Sequence, residues 1–147
     1  MVVFYSPAYH INIGPHVFPT LKYVRVAEQL QRQRASRIRL VEPDPASWQD
    51  LALVHTAGYL HKVQTGTLSA EDLAQLELPW SPDVIDGFRL MTGGTIAAAR
   101  LALSGSDGAF VAHIGGGLHH AFANHGEGFC VFNDVAVAIH VLFRDRL

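Results

Sequence analysis

The sequence predicts an α/β fold: a parallel β-sheet covered by helices on both faces. Three observations carry the prediction. Short apolar runs, Val2–Tyr5, Ile38–Val41 and Ala109–Ile114, read as buried strands. Segments of helical period, each with a start or stop signal, separate them. A turn of three glycines, Gly115 to Gly117, follows the last run, at the carboxyl end of a strand where open α/β sheets place their chemistry.

The first run is stopped by Ser6-Pro7, and turn formers follow through Asn12, Gly14, Pro15 and Pro19. From Thr20 to Ala35 the spacing of Leu21, Val24, Ala27 and Leu30 predicts a helix with Thr20 as N-cap. The second run closes at Glu42-Pro43-Asp44-Pro45. Ser47 is expected to cap a helix over Trp48–Val54, and Ala57–Gln64 forms another that Gly66 ends. Ser69 with Asp72 resembles a capping box and opens a further short helix. Pro79-Trp80-Ser81-Pro82 breaks the chain before the longest helix, Asp83–Leu103. Gly93-Gly94 inside it costs about 1 kcal/mol each relative to Ala, which close packing against a neighbour would justify. A last helix is predicted over Asn133–Phe143. It begins a crossover that no strand completes before Leu147, and three strands are few for so many helices. The chain is therefore expected to be part of a larger unit.

Composition narrows the function classes. At 147 residues, with 49% hydrophobic and 16% charged side chains, the chain suits one globular domain rather than a disordered segment. A net charge of −2 offers no footprint for nucleic acid or an anionic membrane. The cluster Arg32, Arg34, Arg37 and Arg39 reads as a solvated helix end and loop. The single cysteine excludes an intrachain disulfide and, with no signal peptide or spanning run, predicts a cytoplasmic protein.

The glycine turn leads into His119-His120, adjacent imidazoles suited to proton transfer near neutral pH. A dinucleotide-binding G-x-G-x-x-G fails, because its third position falls on His120. The alternative is a hydrolytic site with His119 and His120 as base and electrostatic partner. A lone histidine pair is usually ordinary. After a strand and a glycine turn, and before the second loop Gly126-Glu127-Gly128-Phe129-Cys130, it points to function. Cys130 as nucleophile competes with its commoner role as a small buried hydrophobe. His125 is either a metal ligand or an exposed turn residue. His55, His61 and His140 read as structural, and His113 as a hydrogen-bond partner behind the site or a satisfied buried side chain.

Gly115-Gly116-Gly117-Leu118-His119-His120-Ala121, with Gly128-Phe129-Cys130 and Asn133-Asp134, resembles the zinc-dependent histone deacetylase family, which includes acetoin-utilisation proteins and acetylpolyamine amidohydrolases. Supporting matches run along the chain: Phe18-Pro19 with Lys22-Tyr23, Leu53-Val54-His55 with Tyr59-Leu60, and Gly93-Gly94-Thr95 with Ala97-Ala98-Ala99. The resemblance implies an arginase/deacetylase-like fold, of which residues 1–147 would be the amino-terminal portion. It implies a zinc that activates water against an acetamide carbonyl. His120 would be the general base that later protonates the leaving amine, with His119 an orienting electrostatic partner. Gly128 would offer its carbonyl to the substrate amide, and Phe129 would wall the channel holding the acyl-lysine methylenes. The substrate class implied is an acetylated lysine peptide or an acetylpolyamine, with no direct contact to nucleic acid or membrane.

The departures are equally specific. The family's zinc ligands, an Asp-x-His pair and a later Asp, would lie after Cys130, where neither Asp134 nor Asp145 has a histidine two positions on. No metal ligand is therefore assigned within this chain. Residues 1–147 alone are expected to be inactive, and to self-associate or dock with a carboxyl-terminal half. Two rival readings are a shortened, non-catalytic binding module of the same fold and a metal-dependent ureohydrolase. The Gly-Phe-Cys motif argues against the second.

Overall fold

A computed structural model describes residues 1–34, 37–105 and 110–147. The expected helix end at Ala35 and strand start at Ala109 lie outside the described residues. Strands β1 (Val2–Phe4), β2 (Arg39–Val41) and β3 (Val111–His113) form a parallel sheet in the order β2-β1-β3. Val3 is aligned with Leu40 on one side and Ala112 on the other. Consecutive strand residues point to opposite faces. Val3 and Phe4 are both buried, so both faces of the central strand are covered. The ladder continues past the strands, from the Tyr5 N–H to the Val41 carbonyl at 3.0 Å and from the Ile114 N–H to the Phe4 carbonyl at 3.1 Å. All three strands end at one edge of the sheet, and the glycine turn departs from it.

The helices are α1 (Leu21–Arg34), α2 (Trp48–Leu51), α3 (Ala57–Thr65), α4 (Ala70–Leu76), α5 (Pro82–Ser104) and α6 (Asp134–Asp145). Their starts follow the predicted chemistry. Ser47 and Ser69 close reciprocal capping boxes with Asp50 and Asp72, and Gly66 ends α3 at φ +71°. Three details differ. The Thr20 hydroxyl donates to the Ile11 carbonyl at 2.7 Å, tying the preceding loop to the start of α1. On α1 it is Tyr23 and Ala27 that are buried while Leu21 is exposed, because the Tyr23 ring packs edge-on against Tyr9 at 6.0 Å. Helix α2 stops at Leu51 rather than Val54, and the chain turns there to bring His55 into the interior. Arg32, Arg37 and Arg39 are exposed, as a solvated cluster should be.

Helix α5 is the hub, packing against α6, α3, β1 and β3. Its glycines sit at the closest approaches: a Cβ on Gly93 would strike the Asp44 carbonyl oxygen and come within 2.8 Å of the Ala46 nitrogen. Phe88 and Met91 of α5 share the core with Leu51, Val63, Phe132, Val137 and Val141. Among the described residues no helix is long and apolar enough to cross a membrane.

Candidate active site

The turn after β3 is built against Asp134, the first residue of α6, which is fully buried. Its Oδ1 accepts the Leu118 N–H at 2.7 Å and its Oδ2 accepts the Gly117 N–H at 2.9 Å. Oδ2 also accepts the Thr95 hydroxyl proton. Gly117 adopts φ +91°, a left-handed conformation that side chains disfavour. Gly115 and Gly116 are glycines for a different reason. A Cβ on Gly115 would lie 2.6 Å from the Tyr9 ring, and one on Gly116 2.7 Å from His113 Nδ1. The backbone thus lies directly on the residues beneath it.

His113 ends β3 between Tyr9 Oη, 2.8 Å from its Nε2, and Thr95 Oγ1, 3.1 Å from its Nδ1. Burial pushes its pKa from 6.5 down to about 4, against the opposing pull of Asp134. An unfolded His113 takes up its proton near 6.5 and the folded one only near 4. Between those values the unfolded state binds more protons, so stability falls as pH drops and levels off below 4. The loss should not exceed about 3 kcal/mol. Urea unfolding at a series of pH values checks this, and His113→Asn should flatten the decline. His55, also lowered by burial, adds a smaller slope of the same sign that the variant retains.

His119 and His120 are exposed side by side above this turn, with ring centroids 4.3 Å apart. His119 Nδ1 lies 2.9 Å from the Gly117 carbonyl oxygen. A carbonyl only accepts, so Nδ1 carries the hydrogen. Asn133 holds the segment from behind: its amide donates to the carbonyls of His119 and Ala121 at 3.2 and 3.1 Å, while its oxygen caps α6 at the Ala136 N–H. His55 fastens the same loop, with Nε2 accepting the Asn133 N–H and Nδ1 donating to the Phe122 carbonyl.

Gly128 and Phe129 form the centre of a two-residue hairpin turn closed by Glu127 and Cys130. Both central residues have positive φ, +52° and +65°, as a type I′ turn requires. A Cβ on Gly128 would lie 3.3 Å from His120 Cγ, so this turn backs onto the second histidine. The Phe129 ring is half-buried against Phe18 at 5.6 Å and His16 at 5.2 Å. The structure therefore brings His119, His120, Gly128 and Phe129 into one cluster.

Other candidates fall away from it. Cys130 is buried and burial raises its thiol pKa, partly offset by the His120 N–H, which disfavours the thiolate a nucleophile needs. His125 stacks on Phe122 at 4.7 Å and pairs with Glu127, while His61 and His140 are exposed on α3 and α6. Of two loops on this side of the fold, Asn12–Phe18 reaches Phe129 through His16 and Phe18. Leu78–Pro82 does not: Leu78 is buried and Trp80 turns onto α3, donating to the Val63 carbonyl at 2.8 Å. Among the described residues no group of three His, Cys, Asp or Glu side chains could hold a metal ion.

Asp134, Thr95 and Tyr9, which brace the turn, carry no functional signal in the sequence analysis. An Asp after Asn at a helix start reads as ordinary capping. Nothing in the local sequence shows that its carboxylate turns back toward a glycine loop.

The sequence model of the histone deacetylase domain matches residues 16–147. The chain is 33% identical over 152 aligned positions to histone deacetylase 2 of Arabidopsis thaliana, covering 96% of this chain and 38% of that protein. It is 34% identical, again over 152 positions, to the acetoin utilization protein AcuC of Bacillus subtilis, covering 96% of this chain and 39% of that one. It thus spans well under half the length of either relative. A glycine turn at the carboxyl edge of a parallel sheet, the histidine pair it carries and these matches over nearly the whole chain agree: the chain belongs to the histone deacetylase family.

Proposed function

We propose that the full-length protein is a zinc-dependent amide hydrolase, cytoplasmic, that removes acetyl groups from lysine side chains or polyamines. One observation carries the reading: adjacent imidazoles presented together on a braced turn, with the Gly128–Phe129 hairpin against the second. In this reading His120 takes a proton from the attacking water as its oxygen adds to the amide carbonyl. The same proton goes to the amine nitrogen as the C–N bond breaks, giving acetate and a free amine. His119, its Nδ1–H directed to Gly117, orients the pair and balances the charge that develops. The Gly128 carbonyl accepts the substrate N–H, and Phe129 with Phe18 offers apolar wall to an aliphatic stem.

The described residues do not assemble a ligand set for zinc, so zinc dependence would be a property of the full-length protein. A strong chelator should abolish its acetate release, and added Zn²⁺ should restore it. Assaying acetyl-lysine peptides beside N-acetylated polyamines would separate the substrate classes. No turnover on either, with or without zinc, would sink the hydrolase reading.

Residues 1–147 alone should neither turn over substrate nor stay monodisperse. Strand β3 lies at a sheet edge beside Phe110, which is 80% exposed, and α6 shows Val135, Ile139 and Phe143 to solvent along one stripe. Sedimentation of the isolated segment tests this. A monomer that hydrolyses acetyl-lysine would refute it.

A further inference from the structure

The hydrogen bonds beneath the glycine turn can be assigned one direction from the chemistry of their ends. Asp134 accepts two backbone N–H groups, from Gly117 and Leu118, and those groups can only donate. Its carboxylate also takes the single hydroxyl proton of Thr95. Thr95 Oγ1 is then left only to accept from His113 Nδ1, 3.1 Å away, which must carry the imidazole hydrogen. Burial keeps the His113 ring neutral, so its Nε2 is bare and accepts the Tyr9 phenol proton at 2.8 Å. Each link determines the next once the ring in the middle of the chain is neutral.

We infer that Tyr9, His113 and Thr95 are positioning residues for the His119–His120 pair, acting on it through Asp134; this rests on the amide-hydrolase reading above. The four residues come from four places in the fold: the turn after β1, the end of β3, the middle of α5 and the start of α6. They meet under the Gly117–Leu118 peptide. Its N–H, that of Leu118, is held by Asp134 at 2.7 Å, and its carbonyl, that of Gly117, receives His119 Nδ1–H at 2.9 Å. Fixing the carboxylate fixes that peptide, and the peptide fixes the His119 tautomer.

Packing supports the same link independently. A Cβ on Gly116 would lie 2.7 Å from His113 Nδ1 and 2.8 Å from Thr95 Oγ1. The turn therefore rests on the chain of hydrogen bonds as well as bonding to its end. A polar network with every member satisfied holds one geometry where an apolar filling would permit several. Among the described residues no buried side-chain polar atom lacks a partner.

The test uses the full-length protein. Thr95→Val keeps the shape and removes both bonds. It should lower kcat about 10- to 100-fold, the scale of a catalytic group displaced by roughly 1 Å, with KM little changed. Thr95→Ser, which keeps the hydroxyl, should restore most of the loss. In the wild type, imidazole ¹⁵N NMR should show His113 neutral and in the Nδ1–H form at neutral pH. The His119 signal should lose its single-tautomer character in Thr95→Val. Wild-type kcat in Thr95→Val overturns the inference, as does an Nε2–H or protonated His113. Should Thr95→Val fail to fold, the wild-type tautomer and Thr95→Ser still decide. A wild type inactive on every acetamide removes the hydrolase reading and the positioning role with it, whereas an active wild type with an indifferent Thr95→Val removes the positioning role alone.

Discussion

Replacing His120 with Ala in the full-length protein is expected to lower kcat about 10²- to 10⁴-fold, the range a positioned general base contributes. The expected change in KM is small, because the imidazole acts on water and leaving group rather than on the acyl stem. Loss of stability would be a poor explanation of the effect. His120 is exposed and its ring nitrogens have no hydrogen-bond partner among the described residues, so removing them strips nothing from the core. His119→Ala should cost less than His120→Ala but no less than Thr95→Val, about 10- to 100-fold, if its role is orientation and charge balance. It should also disturb the turn, since it releases the Gly117 carbonyl. The order matters more than the sizes. A His120→Ala enzyme with near wild-type kcat, or one hurt less than His119→Ala, would exchange or cancel the assigned roles. Thermal melts matching wild type for both variants would show that the chemistry and not the fold had changed.

The elements and the family were readable because local signals agreed with one another. Ser47 and Ser69 cap where their hydroxyls can reach an N–H three residues on, and Gly66 stops α3 where only a left-handed residue can. Those are short-range facts. Tyr23 replacing Leu21 on the buried face of α1 was not readable, because it depends on Tyr9 and Phe18 arriving from an earlier loop. The cluster of His119, His120, Gly128 and Phe129 was legible as a list of residue types at a strand's end. How it is held was not. Asp134, Thr95, His113 and Tyr9 are up to 125 positions apart and meet only when β1, α5, β3 and α6 are assembled. Each alone has an ordinary reading: cap, helix surface, strand end, loop aromatic. Only their distances turn them into a support for the turn.

Gly93→Ala should destabilise the fold by about 3 kcal/mol or more, although the same change raises helix propensity by about 1 kcal/mol. The added methyl would be driven into the Asp44 carbonyl oxygen and within 2.8 and 3.0 Å of the Ala46 nitrogen and the Asp44 carbonyl carbon, all backbone atoms. That backbone has little room to retreat. The Ala46 N–H donates to the Arg89 carbonyl at 2.9 Å, and Arg89 Nε donates back to the Ala46 carbonyl at 3.2 Å. Arg89 lies one turn earlier on the same helix, so moving the segment away breaks both bonds, and moving the helix instead shifts Phe88 and Met91 in the core. Gly58→Ala provides the opposite case. Gly58 lies in α3 where an added Cβ would meet no atom of the described residues within 4 Å, so only the propensity gain should appear, up to about 1 kcal/mol. Two Gly→Ala changes in helices should thus move the melting temperature in opposite directions when followed by circular dichroism in the full-length protein. A Gly93→Ala protein melting at or above the wild type would show that α5 does not approach the Asp44–Ala46 segment as closely as the structure places it.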